Sequence, residues 1–314
     1  MNSDNRQLHT VMYHYVRDLP RTPFPRIKGM LLDEFRQQVA ALAEQYEMAT
    51  LESALEFLRG DYQPKRDLCL LTFDDGLKEH FAEVTPILAA RKIQGLFFVI
   101  SSAIEEDRVA SVHMNHFLMA ALDFNEYQQA FLERLRDKLP DAPRIEDLNA
   151  EQVCQTYRWD DPAVAAFKFL FNFKLNAALR DEIVREIFAE RIGSETAFAR
   201  ELYLSWDEAR QMQDAGMVIG GHSHRHQALA TMTDNQQMED LGLCRHLMHQ
   251  KLNAQKLWPF TYPYGKQHTF NPTTVQELQH LGFACSFATE VGATAPGDDC
   301  FAIRRIDCKD VKPR

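Results

Sequence analysis

The 314-residue chain has no run of about 18 consecutive apolar residues, which excludes an ordinary membrane-spanning helix. It also lacks any CxxC pair. Cys69, Cys154, Cys244, Cys285, Cys300 and Cys308 are scattered, and Cys69 and Cys285 lie in apolar segments where cysteine acts as a small hydrophobe. This usage argues against a disulfide framework and for a reducing cytoplasm. The first residues, MNSDNRQLHTV, have no cationic head followed by a long apolar stretch, so an export signal is not expected. Positive charge is in deficit: 35 Lys and Arg against 45 Asp and Glu give a formal charge of -10. Nucleic acid is therefore disfavoured as the main partner, because phosphate binding needs a cationic footprint. No internal repeat or low-complexity tract is present. What remains is ordinary for a soluble globular enzyme, at 45% hydrophobic and 25% charged residues. The length suits one large domain or two modest ones.

Apolar runs and helical periodicity alternate at both ends of the chain. LHTVMYHYV (8–16) reads as a buried strand, and Asp33 opens a helix with Phe35, Val39, Leu42 and Tyr46 on one side. LCLLTF (68–73) is apolar on both faces, as in a parallel strand covered on each side. A helix over 77–91 and a strand over 95–101 follow. From about 103 to 200 strand signals vanish and four helical patterns appear, one opened by Asp161-Pro162. Phe167, Leu170, Phe171 and Leu175 read as core of this insertion. Alternation then resumes with a Ser205–Glu208 capping box, the strand MVIGG, a helix over 234–253, LWPFTYPYG, a helix over 272–281, FACSFAT and FAIRRIDC. The expectation is a parallel α/β sheet or barrel with a helical insertion.

Two motifs stand where strands end, which is where α/β folds bind ligands. Thr72-Phe73-Asp74-Asp75-Gly76 puts two carboxylates side by side, an arrangement costly without a neutralising cation. Asp-Gly alone is also an ordinary turn dipeptide. His222-Ser223-His224-Arg225-His226 follows MVIGG. In a helical turn, His222 and His226 share a face and can clamp one ion, while His224 points elsewhere. His246 and His249 have similar spacing on a polar helix and read as surface. One carboxylate, Asp75, with two imidazoles makes a three-ligand site with open positions, suited to zinc or another divalent ion. Asp74 is then free to act as a base, and such a pairing describes hydrolysis. Phe260-Thr261-Tyr262-Pro263-Tyr264-Gly265 is a third motif, an aromatic turn.

TFDDG, HSxxH and FxYPYG, in this order, resemble the first three motifs of the NodB-homology polysaccharide deacetylases, carbohydrate esterase family 4. The resemblance spans residues 8–102 and 201–308. It implies a distorted (β/α)7 barrel and metal-dependent removal of acetyl groups from amino sugars. By position, Asp74 resembles the family's general base, Asp75, His222 and His226 its metal ligands, and Tyr264 the residue whose backbone N–H helps hold the oxyanion. Ser223 resembles the residue that supports the loop. Two departures stand out. Thr261 takes the place where many members have the Arg that orients the base, and Arg305, before Arg304, resembles the late Arg that substitutes for it. No His follows His280, so the usual late Leu-x-His acid is missing. Tyr13-His14 instead resembles the early Tyr-His motif of the poly-N-acetylglucosamine deacetylase branch, with His14 as acid.

The resemblance thus implies a single NodB-like domain over 1–314 with a helical insertion over 103–200. It points to an enzyme acting on an acylated amino sugar in surface-polysaccharide or O-antigen synthesis, while the cysteine usage and the expected lack of an export signal point to the cytoplasm, where sugars linked to a nucleotide or lipid are built. Arg17, Arg21, Arg26 and Lys28 are cations available to a phosphate or acidic sugar, although at least half of them read first as an ordinary solvated loop. Rival readings are a hydrolase of small cyclic amides or peptidoglycan-type substrates, a saccharide-binding module without turnover, and an Fe(II) oxygenase. The spacing of the carboxylate from the histidines, and the second Asp beside it, favour hydrolysis.

Overall fold

A computed structural model of the chain describes residues 6–311. The apolar runs become parallel strands. β1 (Leu8–Tyr13), β2 (Leu68–Phe73), β3 (Gly95–Val99), β4 (Val218–Gly221), β5 (Pro259–Thr261), β6 (Cys285–Phe287) and β7 (Ile306–Asp307) lie side by side in the order β7-β1-β2-β3-β4-β5-β6. Every ladder along this path is parallel. A parallel bridge from Phe287 to Ile303 ties the far edge to the segment entering β7, so the sheet curls toward closure. With helices around it, this is an α/β fold of the distorted (β/α)7 barrel type.

Strand alternation sorts the side chains. The outward set, including Val11, Tyr13, Leu71, Phe73, Phe97, Val99, Ile219 and Phe260, packs with apolar residues of the helices Leu32–Gln45, Trp206–Asp214, Asp234–Lys251 and Pro272–His280. The inward set, Leu8, Leu68, Leu70, Leu96, Phe98, Cys285, Phe287 and Ile303, forms a second cluster with the helix Leu51–Arg59. Gly220 shows how tight this interior is. A Cβ there would stand 2.5 Å from Phe98 Cδ1 and 2.7 Å from the Pro259 carbonyl oxygen, so only glycine leaves room for the Phe98 ring. Continued by the same period of two, the inward face next presents His14, Asp74, His222 and Thr261 at the carboxyl ends of the strands, and Arg305, two residues after Ile303, just before β7.

The chain divides into two compact units. One holds the barrel: residues up to Leu19, Lys28–Asp107, and Ala199 onward. The other is helical, Arg108–Phe198 with the short piece Pro20–Ile27. In the helical unit Phe167 meets Tyr127 and Phe131 edge-on, with centroids 5.4 and 5.5 Å away. Leu170 and Phe171 are buried there, and Leu175 is half-buried. Asp161 caps the Pro162–Phe169 helix by accepting from the Ala163 N–H.

The helix expected over 77–91 departs from plan. His80–Val84 is a π-turn in which the Thr85 N–H reaches back to the His80 carbonyl, and the α-helix proper is Thr85–Ala90. Pro86 is the cause: it has no N–H to donate and its ring crowds the preceding turn.

Candidate metal and catalytic site

The site lies within the barrel unit, at the carboxyl ends of β1, β2, β4 and β5, and Arg305 reaches it from the residue just before β7. Asp74 follows β2 on the inward face. Asp75 by alternation would face outward, but its φ of +80° turns the chain so that both carboxylates stay at the site. Asp75, Ser223, His226 and Tyr264 are four of the six non-glycine residues with positive φ among the described residues, the others being Lys92 and Asp107. L-residues rarely adopt this conformation, and it persists where surrounding contacts dictate it.

His222 Nε2 lies 3.5 Å and His226 Nε2 3.6 Å from Asp75 Oδ1. The two ring nitrogens are 3.1 Å apart. All three residues are buried. His222 Nδ1 donates to the Thr261 carbonyl at 2.8 Å, which in the neutral ring leaves Nε2 with a lone pair facing the other two atoms. The donor set is thus two imidazoles and a carboxylate oxygen converging on one point. Tetrahedral ligands about 2.0–2.1 Å from an ion stand about 3.3–3.4 Å from one another. The observed triangle has edges of 3.1, 3.5 and 3.6 Å, so these residues fit a divalent ion.

The HSHRH segment is not the helical turn expected from its spacing. It is an irregular loop with φ of +63° at Ser223 and +51° at His226. The two imidazoles meet because the loop folds back, with the His226 N–H donating to Ser223 Oγ at 2.9 Å.

Asp74 meets Arg305, whose Nη1 donates to Oδ1 at 2.7 Å, with both side chains almost wholly buried. Arg305 Nε donates to the Ala288 carbonyl at 2.9 Å, fixing the guanidinium from behind. Arg304 is exposed and bonded to Asp298 and the Ala293 carbonyl, so Arg305 is the arginine that reaches the site. Burial pushes the Asp74 carboxyl up. Arg305, His222 and His14 pull it down by more, and the net position is below the ordinary carboxylate value.

His14 is no buried core histidine: its side chain is 42% exposed, and Nε2 lies 3.8 Å from Asp74 Oδ2. Its carbonyl accepts from His80 Nε2 at 2.9 Å. His80, fully buried, is lowered to about 4, chiefly by burial, and so stays neutral. Tyr264 sits in a left-handed turn continued by Gly265, with its ring 5.2 Å from that of His226.

Other residues named from sequence lie elsewhere or are engaged. His246 and His249 are exposed. Arg17 is ion-paired with Glu79 at 2.5 Å. Arg26 donates to the carbonyls of Ala120 and Leu122. Two contributors were invisible in sequence, the Thr261 carbonyl and His80. The first is a backbone atom, and the second carries no motif.

A family model described as polysaccharide deacetylase matches residues 61–136 and 176–286, more than half of the chain. No curated protein matches. Among solved structures, the Streptococcus pyogenes deacetylase PplD in complex with acetate is 15% identical with a TM-score of 0.60, over 98% of this chain and 95% of that one. IcaB from Ammonifex degensii is 18% identical with a TM-score of 0.57, over 96% and 92%. The BpsB deacetylase domain from Bordetella bronchiseptica is 15% identical with a TM-score of 0.56, over 96% and 95%. At such identities these likenesses speak for the fold. The motif-bearing barrel and the family match together place the chain in the polysaccharide deacetylase family. It is accordingly a carbohydrate deacetylase, a hydrolase.

Proposed function

We propose that the chain is a metal-dependent hydrolase that removes an N-acetyl or other short acyl group from an amino sugar during surface-polysaccharide or O-antigen synthesis. The sugar is free or linked to a nucleotide or lipid. One observation carries the reading: a buried carboxylate held by arginine stands beside a carboxylate–imidazole–imidazole triangle at the strand ends. Asp75, His222 and His226 hold the ion, and zinc suits their nitrogen and oxygen donors. When bound there, a divalent ion supplies Lewis acidity to the acyl carbonyl and to water.

The remaining work belongs to the chain. Arg305 occupies Asp74 Oδ1, so Oδ2 is the oxygen left to take a proton from attacking water. Arg305, working against burial, keeps Asp74 ionised for that step. His14, partly exposed and close to Asp74 Oδ2, protonates the leaving amine. The Tyr264 N–H helps hold the tetrahedral oxyanion, and the left-handed turn sets its direction. We read residues 1–314 as one deacetylase domain, with the helical segment as an insertion. The six unpaired thiols fit a reducing compartment, and we assign the cytoplasm.

The test is mass spectrometry of products from acylated amino sugars, free and nucleotide-linked, with zinc-loaded protein. Loss of one acyl group is expected from at least one of them. Asp74→Asn should retain metal and lose nearly all turnover. No acid released by metal-loaded protein would favour a binding module, and turnover by Asp74→Asn would remove the base assignment.

A further inference from the structure

Between the two ligand histidines stands a third, His224, which neither the ion triangle nor the Asp74–His14 pair uses. Its ring is buried yet fully occupied. Nδ1 lies 2.9 Å from the Ser101 hydroxyl, and Nε2 lies 3.1 Å from Glu106 Oε1. An ionised carboxylate only accepts, so in the neutral ring Nε2 carries the proton and Nδ1 accepts from Ser101. Serine, histidine and carboxylate in this order match a hydrolytic triad in connectivity. Ser101 is 0% exposed, however, so no substrate reaches its hydroxyl and a nucleophilic use is excluded.

The array points instead at the loop. The Ser101 N–H donates to the Ser223 carbonyl at 3.2 Å, and the Ser102 N–H to the His224 carbonyl at 3.1 Å. The Ser102 hydroxyl donates to the His224 carbonyl as well. From the other side, the buried Asp240 carboxylate accepts from the backbone N–H groups of His224 at 2.8 Å and Arg225 at 3.0 Å. The loop is therefore gripped on both sides between Ser223 and His226, the two positions with left-handed backbone. A conformation that L-residues avoid needs such external ties to persist.

We infer that His224, with Ser101 and Glu106, forms a positioning array that holds the HSHRH loop so that His222 and His226 converge on one ion. His224 acts through the loop and touches neither ion nor substrate. The inference rests on reading Asp75, His222 and His226 as metal ligands. Outer partners of metal-binding histidines commonly tune affinity about 10–100-fold.

The experiment uses the full chain, stripped with a chelator and titrated with cobalt(II) or zinc alone against a chromophoric competitor. Glu106→Gln keeps the side chain's shape, and Glu106 is partly exposed, so the variant should fold. It should weaken metal binding by about 10-fold or more and alter the cobalt d–d absorption. Ser101→Ala should do the same from the other side of the ring. His224→Gln, which keeps a donor toward Glu106, should recover part of the affinity that His224→Ala loses. A residue that merely fills the core would lower the unfolding temperature of the metal-free protein and leave the cobalt spectrum unchanged. Wild-type affinity and spectrum in Glu106→Gln and in His224→Ala would overturn the array, and if His224→Ala does not fold, Glu106→Gln decides. If the wild-type protein takes up neither metal, the ligand reading fails first and the array falls with it.

Discussion

Arg305→Met probes the electrostatic centre of the site with little change in packing volume. The wild-type pair is separated by 2.7 Å between Arg305 Nη1 and Asp74 Oδ1, with side chains 0% and 3% exposed. At a charge separation of about 4 Å and an effective dielectric constant near 20, the attraction is about 4 kcal/mol. Truncating one partner of a buried pair costs about 3–5 kcal/mol, because the other charge is left without compensation. At about 2–4 °C per kcal/mol for a domain of this size, the unfolding midpoint should fall on the order of 10 °C at neutral pH. The pH dependence follows from linkage. In the wild type, Asp74 lies below its unfolded value. Its contribution is present above that unfolded value, near 4, and is lost as pH falls through the folded one. Without Arg305, burial dominates and the folded value rises above the ordinary one. The variant's Asp74 then contributes only at low pH and becomes a burden as pH rises. The gap between the two proteins should therefore be small near pH 4 and large near pH 8, in thermal unfolding of metal-free protein. The acidic limb of kcat/KM should also move to higher pH, since the base must ionise to act. A variant within about 1 kcal/mol of wild type at pH 8, with an unmoved acidic limb, would refute the reasoning.

Two further outcomes follow from single contacts. Gly220→Ala should destabilise by about 1–3 kcal/mol, because its Cβ would stand 2.5 Å from Phe98 Cδ1 and 2.7 Å from the Pro259 carbonyl oxygen; Phe98→Leu should relieve only the ring's share of the strain, and unchanged stability of Gly220→Ala in denaturant unfolding would deny the tight interior. His14→Ala should lower kcat about 10²–10⁴-fold while metal uptake by competition titration stays the same; loss of the metal instead would make His14 a ligand.

Much of the site can be read directly from residue order. Asp74, Asp75, His222 and His226 carry their chemistry in short motifs at the ends of apolar runs, and strand alternation alone puts Asp74 and His222 on the same face. Arg305 is different. It lies 231 positions from Asp74, and nothing local separates it from Arg304 except the parity of a strand only two residues long. The sheet decides it: β7 pairs with β1 in a register, Val11 with Ile306, that turns Arg305 inward and leaves Arg304 outside. The HSHRH loop shows the limit of spacing as a guide. A helical turn and a left-handed loop both bring residues i and i+4 together, and the second is held by the Ser223–His226 bond within the loop and by ties from Ser101, Ser102 and Asp240 outside it.

Sequence by itself determined the alternation of strands and helices, the helical insertion, and the kinds of side chain available for hydrolysis, because hydrophobic periodicity and short motifs are local properties. Tertiary structure decided which arginine meets Asp74, which carbonyl orients His222, and why His224 is buried between a serine and a glutamate. Those contacts join residues 39 to 231 positions apart, and their pairing follows from strand register and loop conformation, to which local sequence gives no direct signal.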